Sequence, residues 1–323
     1  MGAVRIVFVA ALVVTCQAAA IDDQQFNGRW DITVNGISTP QRGWWLEVSG
    51  AGGSLLKGRF MSPIVGVLDD IPKPSISEGE LRFAIDSHYR GDRNLEKGLY
   101  WARLEDGKLK GTFEIEGDPS SYLEWAGVRA PALADKDDPT WKRGDPVVLF
   151  DGRDINGWQM MPVPGAKHPS PWTVKDGALS VAGGSNLISE KKFLNFSLDV
   201  EYRVPPRGNS GIGLRGRYEL QIADDADRPV SNRISGAILG RIAPTMNAAG
   251  PPDQWQFLTA RMVGRQVTVF LNGVRVVDRQ TIDGPTSIAL DTDEAEPGPI
   301  VLQGDRGAVE FRRIVAYPLS KRP

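Results

Sequence analysis

The sequence predicts an all-β protein built from two domains of antiparallel strands. Short runs of alternating apolar and polar residues recur along the chain, and 36 glycines and 23 prolines separate them. After the first twenty residues, no segment keeps the 3.6-residue periodicity of an amphipathic helix for three turns. Short strands separated by turn residues are typical of β-sandwiches and β-barrels.

Residues 1–20 have the layout of a secretory signal peptide. Arg5 is followed by an apolar run over residues 6–14 and by three alanines at 18–20. A basic start, a short apolar stretch and an A-x-A exit predict cleavage after Ala20 and export to the periplasm or cell exterior. The sole cysteine, Cys16, lies in this segment. A lipid anchor on Cys16 is the less favoured alternative, because a threonine precedes it.

Composition excludes several classes of protein. With 38 basic and 40 acidic residues, the formal net charge is −2, and no run of one sign is present. We therefore expect neither a nucleic acid nor an anionic membrane surface as partner. The two histidines, His88 and His168, are far apart in the sequence, which argues against a zinc site. No later apolar run is long enough to span a membrane.

The first predicted domain covers residues 21–130. Alternation predicts strands at 29–34, 44–48, 55–60, 81–85, 99–104, 109–115 and 122–128. Tight turns such as residues 105–108 indicate that sequence neighbours pair, which predicts a small antiparallel barrel or sandwich. Residues 131–146 are polar, rich in charge and punctuated by proline, and we interpret them as a linker.

The second predicted domain covers residues 147–323. Strands are predicted at 172–174, 178–181, 196–204, 211–222, 255–263, 266–271, 274–278, 300–303 and 309–317. Asn272-Gly273 between two of them is the strongest short-range hairpin signal. This number of antiparallel strands predicts a two-sheet jelly roll of the lectin type, with any sugar on the concave sheet.

Residues 209–225 concentrate polar groups on one predicted strand face. Read as a single strand, they place Arg215, Arg217, Glu219 and Gln221 on one side and apolar residues on the other. Such a face suits a hydroxyl-rich ligand, and it equally fits a solvated surface with ion pairs. The preceding strand repeats the pattern with Asp199, Glu201 and Arg203, and the turn at 205–209 would let the two strands pair. The two polar faces would then merge into one patch, which favours a functional surface.

Other chemistries fit these residues poorly. Residues 211–216 match G-x-G-x-x-G, but the strand pattern continues where a dinucleotide site needs a helix. A retaining glucanase pattern E-x-D-x-x-E fails, because Gln221 stands where aspartate is needed. With two histidines, no Ser/His/Asp set is evident.

Five segments of the second domain resemble the 3-keto-disaccharide hydrolase domain family. They are residues 149–158 (LFDGRDINGW), 172–179 (WTVKDGAL), 209–224, 236–255 (GAILGRIAPTMNAAGPPDQW) and 298–314 (GPIVLQGDRGAVEFRRI). The resemblance implies a concanavalin-like jelly roll acting on a small carbohydrate, a 3-keto-glycoside. Its implied chemistry is abstraction of the acidic C2 proton, β-elimination of the C1 substituent and hydration.

The resemblance also implies roles for residues. Glu219 is the candidate base, Arg215 the group that stabilises the enolate, and Asp305 a further catalytic candidate. The candidate substrate-binding residues are Asn209, Gln221, Gln303, Glu201, Trp172 and Arg306. No cofactor is implied; a calcium ion near Glu294 and Glu296 is conceivable but not indicated by their spacing.

One departure keeps a second hypothesis open. Members of the family often read LQGDHG where this chain reads LQGDRG, so Arg306 replaces a histidine. Arginine does not shuttle protons near neutral pH. The main alternative is therefore a non-catalytic, lectin-like protein that binds carbohydrate with the same face. A cell-surface scaffold is a third hypothesis, and it leaves the polar face unexplained.

Overall fold

In a computed structural model, the described residues are 22–34, 43–62, 67–87, 96–161, 171–181, 183–304 and 306–321. The predicted signal peptide, Cys16, both histidines and Asp305 lie outside them. The described regular structure is β apart from a short 3₁₀ helix, Asp23–Phe26. Within the described ranges, no helix is long and apolar enough to cross a membrane.

The first domain is one nine-stranded antiparallel sheet. Its strands are β1 (Gly28–Val34), β2 (Trp44–Ser49), β3 (Lys57–Ser62), β4 (Val67–Asp70), β5 (Ser75–Ser77), β6 (Glu80–Ser87), β7 (Glu96–Glu105), β8 (Lys108–Ile115) and β9 (Asp118–Arg129). They are ordered β4-β3-β2-β1-β9-β8-β7-β6-β5. Phe60 on β3 nevertheless lies 5.7 Å, between ring centroids, from Phe83 on β6, near the opposite edge. The sheet therefore curls around its own core into a barrel-like shape.

The second domain is a sandwich of two sheets. Its strands are β10 (Trp141–Arg143), β11 (Val147–Phe150), β12 (Trp158–Met161), β13 (Thr173–Lys175), β14 (Ala178–Val181), β15 (Asn186–Phe193), β16 (Phe196–Arg203), β17 (Asn209–Leu214), β18 (Tyr218–Ala223), β19 (Gln256–Val263), β20 (Gln266–Leu271), β21 (Val274–Thr281), β22 (Gly298–Leu302) and β23 (Val309–Lys321). The larger sheet runs β13-β14-β23-β16-β19-β20-β21, with β10 and β11 also paired to β23, and the smaller runs β12-β15-β22-β17-β18. Val200 and Leu258 of the larger sheet share one fully buried core with Ile212 and Leu220 of the smaller. The predicted all-β, jelly-roll fold class is confirmed.

Residues 131–146 lie against the second domain. β10, inside this segment, pairs with the end of β23. The Asp137 carboxylate accepts hydrogen bonds from Nε and Nη2 of Arg261 at 2.8–3.0 Å. The segment predicted as a linker thus contains a strand and a docked ion pair.

The predicted tight turns are present. Leu271 pairs with Val274, and Asn272 and Gly273 between them have φ values of 51° and 81°. Two successive positive φ values match the twist of a two-residue hairpin, which is why Asn-Gly predicts it.

The prediction of one continuous strand over residues 209–225 is wrong. β17 and β18 form a hairpin whose turn contains Arg215 (φ 53°) and Gly216 (φ 64°), and the Arg217 N–H donates to the Leu214 carbonyl at 3.1 Å. Two consecutive positive φ values reverse the chain, so strand parity is lost at the turn. Parity survives within β18, where Glu219 and Gln221 face away from the core.

The predicted pairing of the two polar strands is also wrong. β16 pairs with β19 and β23, both in the larger sheet, while β17 belongs to the smaller sheet. The connection at 205–209 therefore crosses between sheets. Glu201 on β16 consequently forms an ion pair with Arg312 on β23, and the two polar faces do not merge.

Candidate functional site

A cavity of about 410 Å³ lies against the outer face of the β17–β18 hairpin. Alternation in β18 sends Tyr218, Leu220 and Ile222 into the core and leaves Glu219 and Gln221 facing the cavity. Asn209, at the start of β17, faces the same cavity. The hairpin thus supplies one carboxylate and two carboxamides.

Glu219 is the buried carboxylate of this cavity, with 2% of its surface exposed. Ser287 Oγ donates to its Oε2 at 3.2 Å, and its backbone N–H donates to Thr286 Oγ1 at 2.8 Å. A methyl group at Gly211, on the neighbouring strand, would lie 2.7 Å from Glu219 Oε1. The side chain of Glu219 therefore occupies space that only a glycine at 211 leaves free.

Three carboxamides line the same cavity. Gln221 Nε2 donates to Asn209 Oδ1 at 2.7 Å. Gln303, which follows β22, also lines the cavity, and its backbone N–H donates to the Gly211 carbonyl at 2.9 Å. Amides that both donate and accept are suited to sugar hydroxyls.

Residues 236–239 fix the outer edge of β18. The Gln221 N–H donates to the Ala237 carbonyl at 2.9 Å, and the Leu239 N–H donates to the Glu219 carbonyl at 2.9 Å. Leu239 also lines the cavity. Because both edges of β18 are hydrogen-bonded, Glu219 and Gln221 stand on a fixed backbone.

Arginines line the same cavity. Arg207 comes from the β16–β17 connection, Arg228 and Arg233 from the β18–β19 loop, and Arg306 from the β22–β23 loop. The carboxylate of Asp224 is also present and accepts the Arg207 backbone N–H at 2.7 Å.

The structure brings together five of the residues predicted for the site. They are Asn209, Glu219, Gln221, Gln303 and Arg306. Sequence reasoning missed Arg207, Asp224, Arg228, Arg233, Leu239 and Ser287. Most of these come from connections whose course no periodicity predicts; Asp224 and Leu239 lay within segments that carried the family resemblance.

Three other predicted residues do not reach this cavity. Arg215 is fully buried on the opposite side of the hairpin, where Nη1 donates to the Glu294 carbonyl at 3.0 Å and Nη2 donates to the Gly264 carbonyl. Trp172 is 3% exposed and packs in the core, and its Nε1 donates to the Ser185 carbonyl at 2.7 Å. Glu201 lies in the other sheet. The expected positions of Arg215, Trp172 and Glu201 at the ligand face are corrected accordingly.

The turn of the β17–β18 hairpin contacts the loop over residues 282–297. This loop supplies Thr286 and Ser287 to the site, and Arg215 and Arg217 bind its carbonyl oxygens at Glu294 and Glu296, the latter at 2.8 Å. Arg215 thus anchors a loop of the site from outside the cavity.

The first domain holds the same loop from the other side. Trp45 Nε1 donates to the Pro285 carbonyl at 2.9 Å. Arg29 Nη1 donates to the Asp283 carbonyl, and Arg59 Nη1 donates to Asp283 Oδ2, both at 2.7 Å. Side chains of the barrel therefore contact the loop two to four residues before Ser287.

A buried cluster of charges lies beside these contacts. The Glu294 carboxylate accepts hydrogen bonds from Arg265 at 3.0–3.1 Å and from the Tyr218 hydroxyl, and it forms an ion pair with Arg29. Burial lowers the pKa of Arg29 to about 10. Glu294, considered above for calcium, is thus engaged by cations and a phenol. Among the described residues, no three His, Cys, Asp or Glu side chains cluster as a metal would require.

Comparison with known proteins identifies the domain. Residues 145–316 match the family described as the 3-keto-alpha-glucoside-1,2-lyase-like domain. The chain belongs to this family. The resemblance predicted from the sequence is therefore confirmed for the second domain.

Individual relatives match over parts of the chain. A 3-keto-disaccharide hydrolase of Bacteroides thetaiotaomicron is 37% identical over 76 residues, which are 20% of this chain and 26% of that protein. The match thus spans about a quarter of the length of this curated relative. Two structures from Parabacteroides distasonis, each provisionally described as a glycosyl hydrolase, are 26% and 20% identical. They cover 58% and 54% of this chain and 91% and 94% of their own, with TM-scores of 0.45 and 0.44.

Proposed function

We propose that the second domain of this protein cleaves 3-keto-glycosides by elimination and hydration. One observation carries the proposal: the buried carboxylate of Glu219 faces a polar cavity that the carboxamides of Asn209, Gln221 and Gln303 also line. Such a site offers one base and several neutral donors, as abstraction of a proton next to a ketone requires.

The proposed reaction begins at C2 of the keto-sugar. The ketone at C3 acidifies the C2 hydrogen, and Glu219 takes that proton while the electron pair moves onto the C3 oxygen. The enolate then reforms the ketone, a double bond forms between C1 and C2, and the C1–O bond breaks. The released oxygen takes a proton. Water adds across the double bond at C1, so the sum is hydrolysis of the glycosidic bond.

The donors for the enolate oxygen are amides in this proposal. Arg215 was the sequence-based candidate, but it binds carbonyl groups on the far side of the hairpin. Gln221 and Gln303 line the cavity, and their side-chain amides are the neutral N–H donors in this proposal. Asp305, two residues after Gln303 in the sequence, stays a further catalytic candidate.

The test replaces Glu219 with glutamine. We expect Glu219→Gln to lower turnover of a 3-keto-glucoside by about 10²–10⁴-fold, because an amide cannot accept the C2 proton. Release of the aglycone and absorbance of the enone intermediate report the reaction, and the thermal unfolding temperature reports the fold. Glu201→Gln, on the other sheet, is the matched control and should keep full turnover. Full activity in Glu219→Gln would overturn the proposed mechanism.

A binding protein is the second candidate function. The observation that favours it is Arg306, which lines the cavity where family members often carry histidine. Binding of a 3-keto-glucoside by the wild-type protein without any release of aglycone would support this alternative over the enzyme.

We also propose that the protein acts after export, on the strength of the layout of residues 1–20. The mass of the protein recovered from a native periplasm or culture medium tests this. A mass that retains residues 1–20 would contradict the proposal.

A further inference from the structure

Three arginines at the site have no carboxylate partner of their own among the described residues. Arg207, Arg228 and Arg233 are exposed, line the cavity, and their guanidinium groups take part in no ion pair within the described ranges. Asp224 is engaged by the Arg207 backbone N–H, not by its guanidinium. Asp225 is the other nearby carboxylate. Burial raises its pKa, and the charge of Arg228 acts in the opposite direction. Its Oδ2 accepts a hydrogen bond from the Ser235 N–H at 2.7 Å, not from a guanidinium. The charges of the three arginines are therefore available to a ligand.

The positive charge is local to this cavity. The described residues of its lining carry four guanidiniums, those three and Arg306, against the carboxylates of Glu219 and Asp224. The chain as a whole has a formal net charge of −2. The overall composition therefore does not explain the excess of arginine in this cavity. The concave shape of the cavity strengthens the positive electrostatic potential that these charges produce.

Arg207 and the proposed base lie at different ends of the cavity. Glu219 and Ala223 both line it and are four residues apart on β18, which corresponds to about 13 Å along a strand. Arg207 is beside Asp224, at the Ala223 end, because the Arg207 N–H binds the Asp224 carboxylate. Gly307, next to Arg306, also approaches Asn209 at this end. A sugar ring that reacts at Glu219 thus leaves room for a second unit before Arg207.

We propose that the substrate is anionic, with a carboxylate, sulfate or phosphate on the unit released from C1, bound by Arg207, Arg228 and Arg233. The inference rests on the proposed function, since it takes Glu219 as the position of the reacting ring. Guanidinium forks bind such oxyanions through paired, charge-assisted hydrogen bonds.

Matched substrates test the preference. We expect kcat/KM for 3-keto-glucosyl-glucuronic acid to exceed that for 3-keto-glucosyl-glucose by tenfold or more. In the triple variant Arg207→Gln/Arg228→Gln/Arg233→Gln this ratio should fall towards one. Because the arginines are exposed, added salt should also reduce the ratio. Arg153→Gln, an exposed arginine outside the cavity, is the control and should leave the ratio unchanged. A wild-type ratio near one would overturn the inference.

A binding measurement separates this inference from the proposed function. Calorimetry compares wild-type affinity for the unoxidised disaccharides glucosyl-glucuronic acid and glucosyl-glucose, which lack the ketone and do not react. Tighter binding of the acid, lost in the triple arginine variant, supports the anion site even if no 3-keto-substrate turns over. Equal binding of both together with normal turnover of 3-keto-glucosides would leave the proposed function standing and remove the anion site.

Discussion

At the scale of single residues, Gly211 leaves the space that the side chain of Glu219, the proposed base, occupies. A methyl group there would lie 2.7 Å from Oε1 and 2.8 Å from Cγ of Glu219. We predict that Gly211→Ala moves the Glu219 side chain and lowers kcat for a 3-keto-glucoside by about 10–100-fold, since displacements near 1 Å are that costly. Steady-state kinetics measure the effect.

Gly250→Ala is the matched control for this prediction. Its methyl group would meet Gln256 at 3.7 Å, an ordinary contact, so kcat should not change. A kcat for Gly211→Ala equal to that of Gly250→Ala would show that Glu219 does not need this space.

The sequence predicts some site residues well and others poorly, for physical reasons. Glu219 and Gln221 follow from strand parity, because β18 is regular on both sides of them. Arg215 does not, because it sits in a turn with a positive φ, where parity no longer sets direction. Arg228 and Arg233 come from an irregular loop, and its course depends on tertiary contacts that a single sequence does not encode locally.

At the scale of elements, the β17–β18 turn serves as an anchor for the loop at 282–297. Arg215 donates to the carbonyl oxygens of Gly264 and Glu294 in a fully buried environment. We predict that Arg215→Met destabilises the protein by about 2–4 kcal/mol, because buried acceptors left without donors each cost about 1–3 kcal/mol. Denaturant unfolding measures the change.

The kinetics of the same variant distinguish an anchor from a catalytic arginine. Arg312→Met, which removes an exposed partner of Glu201, is the comparison and should change the free energy of unfolding by under about 1 kcal/mol. If Arg215→Met instead kept full stability and lost turnover, Arg215 would act on the substrate, as the sequence first suggested.

The sequence predicts the positions of the strands better than it predicts which strands pair. The Asn272-Gly273 hairpin follows from turn chemistry alone. The connection at 205–209 contains two prolines and a glycine, which equally suit a hairpin or a crossing between sheets. The crossing is decided by the pairing of both edges of β16, with β19 and β23, which leaves no free edge for β17.

At the scale of the whole molecule, a buried acid next to the domain contact makes stability depend on pH. Burial raises the pKa of Asp31 from 3.8 to about 6, although Arg29 and Arg265 act in the opposite direction. The folded state therefore binds this proton more tightly than the unfolded state. The stabilisation that comes from protonated Asp31 is fully present below pH 4 and is lost as the pH rises through 6.

Replacing Asp31 with asparagine should remove this dependence. We predict that Asp31→Asn gains stability relative to the wild type between pH 4 and pH 7, by roughly 3 kcal/mol for a pKa raised by about two. Denaturant unfolding at several pH values measures the difference, with the exposed Asp86→Asn as control. A difference that stays constant over this range would show that Asp31 does not titrate on folding.

The contact between the two domains could not be predicted from the sequence of either domain. The domain division follows from composition and turn spacing, but the bond from Arg29 to Asp283 joins residues 254 positions apart. No local pattern predicts such a contact. The first domain therefore gains a role only from the structure, where it holds the loop that carries Ser287.

Trp45 is the residue on which this role can be tested. It is fully buried, its Nε1 donates to the Pro285 carbonyl, and a methyl group on Gly284 would lie 2.8 Å from its ring. We predict that Trp45→Phe lowers kcat for a 3-keto-glucoside several-fold and speeds hydrogen exchange over residues 283–297, since one hydrogen bond of about 1 kcal/mol is lost. Trp101→Phe, on β7 of the same barrel, should change neither. Faster exchange with unchanged kcat would mean that the loop tolerates motion during turnover, whereas unchanged exchange would show that the barrel does not restrain it. If both change together, the barrel contributes to catalysis through Pro285 and Ser287, without contacting the substrate.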